Sequence, residues 1–115
     1  MTQQGYEDYL FAVFGNKTGT AKSYITAIHI IDEMFSHNDV FHLEGKSITT
    51  IDNLTLLEQI TSFIHSQQSL FIDGKASIFQ NINSSQCSYP GKRFCSAAVK
   101  QLLMYYQHDL KEKNA

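Results

Sequence analysis

Two segments of this chain combine lysine or arginine with short hydroxyl side chains and contain no acidic residue. The first lies between Tyr9 and Ile31, and the second lies between Gly74 and His108. Such side chains at helix N-termini suit phosphate oxygens, and phosphate contacts position a protein on nucleic acid without reading its base sequence. The candidate phosphate-binding residues are Lys17, Thr18, Thr20, Lys22, Ser23, Lys92, Arg93, Ser96 and Lys100.

The residues that usually carry catalysis occur here without the spacing that such chemistry needs. The segment 15–23 has neither the spacing of a nucleotide-binding phosphate loop nor a buried strand before it. His29 and His37 stand eight residues apart, and neighbouring acids such as Asp32 and Glu33 diverge by about 100° on a helix. We therefore predict that the chain has no catalytic residue, no metal site and no cofactor, and is not itself an enzyme.

The two cysteines are predicted to be ordinary thiols. Cys87 and Cys95 match no zinc-ligand spacing and are too few for a disulfide framework. Cys95 lies beside Arg93, a setting that can activate a thiol, but the sequence offers no identifiable base partner, so we expect it to pack in the core. Free thiols are typical of a reducing compartment, which predicts a cytoplasmic protein.

Length and composition predict one domain over residues 1–115, standing alone or as the N-terminal domain of a longer protein. The hydrophobic fraction of 43% and the charged fraction of 17% are typical of a folded soluble chain. No apolar run is long enough to cross a bilayer, so we expect no membrane partner. The net charge of −2 excludes a domain that is basic over its entire surface, and positive charge is instead confined to the two acid-free segments.

Apolar residues at spacings of three and four predict an all-α fold, a single bundle of four to five helices. The first helix is expected to end at Gly15, and the second to begin with Thr18 or Thr20 as its cap. We expect Thr50 or Asp52 to cap the third helix.

The apolar pattern is less regular in the C-terminal third of the chain. A short fourth helix is expected from Ser69 through Phe79, followed by a polar loop over residues 81–93 that holds the only proline. The last helix then carries a polar stripe that includes Arg93, Ser96 and Lys100. The charged residues 111–115 are predicted to form a frayed tail.

Two sequence segments resemble a known DNA-binding module. Residues 18–28, TGTAKSYITAI, resemble the Thr-x-x-x-Tyr helix of the SAM-like core-binding domains of tyrosine recombinases and phage integrases. Residues 96–106, SAAVKQLLMYY, resemble the segment that begins the last helix where this module is fused to HNH-type or modification-dependent restriction endonucleases. The resemblance implies a helical bundle that clamps DNA. The Arg, His-x-x-Arg and Tyr set of the recombinase catalytic domain is missing, which implies a targeting module whose catalytic partner domain lies elsewhere.

Two hypotheses for function follow. In the first, the domain binds double-stranded DNA through two basic helix starts. In the second, it is a protein-interaction or oligomerisation bundle that binds no nucleic acid, and it buries an aromatic surface against a partner or a second copy. That surface would consist of Phe11, Phe14, Phe41 and Tyr106. The acidic pI of about 6.2 favours the second hypothesis, and the acid-free segments favour the first.

Overall fold

The structure, a computed structural model, describes residues 1–15 and 19–113. Its α-helices are α1 (Gln3–Phe14), α2 (Gly19–Asn38), α3 (Leu54–Ile72), α4 (Ser88–Gly91) and α5 (Phe94–Lys113). Short 3₁₀ turns occur at Ile48–Thr50 and Ser84–Gln86, and the described residues contain no β-strand. The prediction of an all-α bundle of four to five helices is confirmed.

Helix α5 lies at the centre of the bundle and packs against α3, α2 and α1. The stripes predicted from spacing face inward, and their main members are Tyr6, Leu10, Ala27, Ile28, Ile31, Met34, Phe35, Leu57, Ile60, Ile64, Ala98, Leu102 and Tyr106. Tyr6 also fixes α1 to α5, because its buried hydroxyl donates a 2.7 Å hydrogen bond to the carbonyl of Ala98. Among the described residues, no helix combines the length and hydropathy that a bilayer crossing requires.

Helix α3 differs from the prediction at both ends. Its cap is Asn53, whose side chain accepts from the Leu56 amide at 3.0 Å, so the predictions of Thr50 and Asp52 are wrong. The helix also continues without a break to Ile72, and no separate helix begins at Ser69.

Gly74 explains where α3 ends. It has a φ of 74°, and the backbone amides of Gly74 and Lys75 donate to the carbonyls of Phe71 and Leu70. This is the Schellman arrangement, which satisfies the last carbonyls of a helix and favours glycine at the left-handed position. Phe79 is fully buried, but it reaches the core from a turn rather than from a helix.

The remaining boundaries show smaller differences. Helix α2 begins at Gly19, so Thr20 lies inside it and is not its cap, while Thr18 lies outside the described residues. The predicted loop over 81–93 contains α4 and the second 3₁₀ turn. Helix α5 extends to Lys113, whose ammonium pairs with Asp109 at 3.2 Å, so the described part of the predicted tail, 111–113, is helical.

Asp32 joins α2 to the connection that follows it. Its carboxylate accepts from the Ser47 hydroxyl at 2.5 Å and from the Ile48 amide at 2.9 Å. We expect Asp32→Ala to lower the free energy of unfolding by about 1 kcal/mol, because it leaves the amide of fully buried Ile48 without its acceptor. Asp32→Asn should cost less, since the carboxamide retains an acceptor for Ile48 and can pair with the Ser47 hydroxyl.

The same carboxylate predicts a pH dependence of stability. Burial raises the pKa of Asp32 above 3.8, although both hydrogen bonds and His29 act in the opposite direction. A raised pKa in the folded state means that the proton is held more tightly there, so this contribution to stability is lost as pH rises through the folded-state pKa. Urea unfolding between about pH 3 and pH 6 should show this loss in the wild type relative to Asp32→Asn. Parallel pH profiles for the two proteins would contradict it.

Candidate nucleic-acid interface

A groove of about 630 Å³ lies between α3 and α5. One wall is a polar stripe of α3, and the other is formed by the residue before α5 and the first two turns of that helix. The lining residues are Thr61, Ser62, His65, Ser66, Arg93, Ser96, Ala97 and Lys100. Within the described part of the chain, the lining therefore offers four hydroxyls, one imidazole and two permanent cations, and it includes no carboxylate.

The helical repeat explains why these side chains meet. On α3, Ile60 and Ile64 are buried, which directs the neighbouring residues 61, 62, 65 and 66 to another face. Ser96 and Lys100 are four positions apart and so lie on the same side of α5, and Arg93, the residue before the helix, lines the groove with them. Arg93 and Lys100 are exposed, and neither forms an ion pair with a described residue.

Gln68 connects the two walls from inside the protein. It is fully buried, its Oε1 accepts from the Ser96 amide at 3.0 Å, and its Nε2 donates to the Ser96 hydroxyl at 2.6 Å. The first amides of a helix have no partner within the helix, and a side chain at the preceding position usually satisfies one of them. Arg93 occupies that position before α5 and has no side-chain acceptor. The carboxamide of Gln68 therefore caps α5 from α3.

Arg93 has an unusual backbone conformation, with a φ of 66°. Its amide donates to the carbonyl of Pro90 at 3.1 Å, and its own carbonyl accepts from the Ala97 amide and from the Ser96 hydroxyl. The left-handed region costs a residue other than glycine about 1 kcal/mol or more. Strained residues of this kind are concentrated at functional sites, and here the strained residue provides the guanidinium of the groove.

The predicted residues around α5 therefore divide into different roles. Arg93 and Lys100 line the groove with free charges. Ser96 also lines it, but its hydroxyl accepts from Gln68 and donates to the Arg93 carbonyl at 3.3 Å, so this hydroxyl holds the helix start in place. Lys92 is exposed at the end of α4 and is not among the groove residues.

The start of α2 lies beside the start of α5 but outside the groove. The ring of Tyr24 is 6.2 Å from that of Phe94, which directly follows Arg93. Lys22 is exposed one half-turn before Tyr24, and Thr20 and Ser23 are partly exposed beside it. The predicted Lys17 and Thr18 lie outside the described residues. The two predicted basic segments thus meet at one end of the bundle through an aromatic contact, with Arg93 and Lys100 in a groove that the α2 residues do not line.

Sequence reasoning missed the α3 wall and Gln68. The four polar residues of that wall resemble any solvent-facing stripe, and nothing local indicates that α5 lies opposite them. Gln68 did leave a signal, because it continues the buried stripe of Leu57, Ile60 and Ile64 at a spacing of four. A glutamine at an apolar stripe position indicates a buried carboxamide that needs polar partners.

Other candidate chemistry has a structural explanation. Cys95 is fully buried, and burial raises the pKa of its thiol to about 12, which suits a packing residue. Residues 1–15 and 19–113 contain no cluster of three or more His, Cys, Asp or Glu side chains that could hold a metal ion.

The aromatic residues considered for a protein partner contact the core of the domain to different degrees. Phe11, Phe14 and Phe41 pack against the core of this same chain, and Tyr106 is only 7% exposed. Phe11, Phe14 and Phe41 are only partly buried, so the protein-interaction hypothesis stays a prediction.

Comparisons of the chain with models of known protein families, with curated proteins and with solved structures give no match.

Proposed function

We propose that this domain binds double-stranded DNA through backbone phosphates, with the groove between α3 and α5 as its principal contact surface. The observation that carries the proposal is the composition of that groove. Two unpaired cations, an imidazole and a set of hydroxyls line one concave surface, and no carboxylate lies among the described lining residues. Lysine, arginine and short hydroxyls are the side chains that contact phosphate oxygens in protein–DNA complexes.

The spacing of the two cations suits a nucleic-acid strand. Arg93 directly precedes α5 and Lys100 lies in the second turn of that helix, so their backbones are separated by about 10 Å along the helix axis. One strand of B-DNA rises about 3.4 Å per nucleotide, so two cations at this separation reach different phosphates of the same strand. Arginine can bind a phosphate through two parallel hydrogen bonds, whereas lysine acts as a compact point charge.

Lys22, Thr20 and Ser23 provide a second, weaker contact area. They stand at the start of α2, next to the start of α5, where the positive end of the helix dipole also favours anions. Only about six basic residues lie in the two acid-free segments, so we expect modest affinity that depends strongly on salt concentration.

We further propose that the domain acts as the non-catalytic targeting module of a recombinase-like or restriction-endonuclease-like protein. The resemblance of residues 18–28 and 96–106 to the core-binding module supports this assignment, together with the all-α bundle. Residues 18–28 include the start of α2, and residues 96–106 include Ser96 and Lys100 in the first two turns of α5. The chemistry would then belong to a catalytic domain that acts on the DNA held here.

The direct test is duplex binding measured by fluorescence anisotropy between about 50 and 200 mM salt. We expect Arg93→Ala with Lys100→Ala to weaken binding at least about tenfold at low salt and to reduce the slope of log affinity against log salt by about 2, because two phosphate contacts are lost. Lys22→Ala alone should reduce that slope by about 1 at most.

A matched control is Lys75→Ala with Lys111→Ala, which removes the same charge from two exposed lysines outside the groove. This variant should bind almost as the wild type does. Equal losses in both double variants would mean that net charge rather than the groove determines binding. If the wild type fails at low salt to bind plain, methylated and hydroxymethylated duplexes, the proposal is wrong.

A further inference from the structure

A second cavity, of about 610 Å³, lies between the end of α2 and the segment 77–86. Its volume falls within the usual range of small-molecule sites. Three of the lining residues are apolar, namely Met34, Ile78 and Ile82, and the other lining residues are polar or charged. This combination of an apolar surface and polar groups differs from the hydroxyl-rich, cationic lining of the α3–α5 groove.

The cavity contains two carboxamides with free hydrogen-bonding capacity. The side chains of Asn81 and Gln86 have no hydrogen-bond partner among the described residues. The other two carboxamides of the lining are engaged within the fold. Asn38 donates to the Met34 carbonyl at 2.8 Å, and Asn83 accepts from the Ser85 amide at 3.1 Å. Two groups that can each donate and accept are thus left for a ligand.

The charge of the cavity excludes anionic ligands. Its described lining includes no lysine or arginine, and the carboxylate of Glu33 stands 3.8 Å from the imidazole of His37. A phosphate placed here would meet a carboxylate without a permanent cation to offset it. The ligand that fits therefore carries no negative charge.

Hydrogen bonds hold one wall of the cavity in position. The Ile78 amide donates to Oε1 of Gln67 on α3 at 2.8 Å, and the next residue, Phe79, is fully buried. Asn83 caps the short 3₁₀ turn that contains Gln86. A wall fixed in this way loses little conformational entropy when a ligand binds.

We propose that this cavity binds a neutral purine base or nucleoside. A purine has flat apolar faces, which suit Met34, Ile78 and Ile82, and an edge with adjacent donors and acceptors. Asparagine and glutamine match such an edge, since each carboxamide can pair at once with a donor and an acceptor of adenine. Asn81 and Gln86 are the residues that read the edge. The proposal does not depend on DNA binding by the α3–α5 groove, because the two sites share no lining residue.

The test is a titration of the ¹⁵N-labelled protein with adenosine and guanosine, followed by NMR. We expect saturable shifts of amides in 77–86 and 33–38, with a dissociation constant of about 0.1–1 mM for the preferred purine, as befits a few hydrogen bonds in an open cavity. Asn81→Ala with Gln86→Ala should weaken binding at least about tenfold, which is 1.4 kcal/mol. Gln80→Ala, which changes an exposed carboxamide outside the lining, should leave it unchanged.

Further ligands separate this proposal from its competitors. Adenosine monophosphate should bind more weakly than adenosine, because its phosphate approaches Glu33. Ribose alone, or a blocked dipeptide amide, should cause no saturable shift. Equal shifts with ribose or with the dipeptide would overturn the assignment to a purine. The absence of shifts with both purine nucleosides at about 1 mM, where the weakest expected constant still gives about half occupancy, would also overturn it. Duplex binding by the same sample is measured separately, so failure of one proposal does not imply failure of the other.

Discussion

Gln68→Met is expected to lower the free energy of unfolding by about 2 kcal/mol and to weaken duplex binding at the same time. Methionine has nearly the shape of glutamine but makes neither of the two hydrogen bonds to Ser96. The Ser96 amide then loses its acceptor at a partly buried helix start, and such a loss costs about 1–3 kcal/mol for a buried group. Urea denaturation measures the first effect. The control is Gln59→Met, the same substitution at an exposed position of α3, which should change stability by less than about 0.5 kcal/mol.

Gln68 should affect duplex binding by positioning Arg93. Gln68 holds Ser96, and the Ser96 hydroxyl holds the Arg93 carbonyl, so the carboxamide fixes where the guanidinium enters the groove. Gln68→Met should therefore weaken duplex binding in the wild-type background but have little further effect in the Arg93→Ala background. An equal loss in both backgrounds would show that Gln68 only maintains the fold.

The positioning role of Gln68 can also be tested by a measurement that does not involve DNA. The three-bond coupling between the amide and α protons of Arg93 reports its φ, which is 66° in the intact protein. We expect this coupling to change in Gln68→Met and to remain unchanged in Gln59→Met. If the wild type did not bind DNA, this measurement would still decide whether Gln68 positions Arg93.

Arg93→Gly should separate stability from binding, because its two effects have opposite signs. Glycine adopts a φ of 66° without the steric penalty that arginine incurs, so the folded state should gain up to about 1 kcal/mol. The same change removes the guanidinium and should weaken duplex binding about tenfold, with a salt slope reduced by about 1. Thermal or urea unfolding and anisotropy titration measure the two effects on one sample.

Two variants control for this result. Arg93→Ala should lose the same affinity but gain no stability, because alanine retains the left-handed penalty. Glu44→Gly changes another exposed residue with a positive φ of 56°, away from the groove, and should preserve duplex binding. Full binding by Arg93→Gly would remove Arg93 from the interface. Lower stability in Arg93→Gly would mean that the backbone at this position is not strained.

The agreement between sequence and fold is closest where the information is local. Apolar residues at spacings of three and four identified the buried faces of α1, α2, α3 and α5, because a helical period depends only on residues within a few turns. The same logic placed Ser96 and Lys100 on one polar stripe of α5. The prediction that Arg93 belongs to that stripe is wrong, because Arg93 precedes the helix with a left-handed backbone and meets the other two only at the groove.

Helix ends were less predictable, for a physical reason that the start of α3 illustrates. Thr50, Asp52 and Asn53 all have side chains that can cap a helix, and they lie within four residues. Which of them does so depends on where packing of Leu57 and Ile60 sets the first turn. The end of α3 was equally hard to predict from the sequence. A glycine such as Gly74 can lie inside a weakly stable helix or at the C-terminal cap of a helix.

The sequence by itself thus determined the helical class, the inward faces and the existence of two acid-free basic segments. Only the tertiary structure decided that the polar stripe of α3 lies opposite Arg93 and Lys100, that Gln68 caps α5 from 28 residues away, and that Arg93 adopts a left-handed conformation. These features depend on which helices become neighbours. Burial of apolar faces selects those neighbours globally, and the polar groups brought together as a result leave little trace in local spacing.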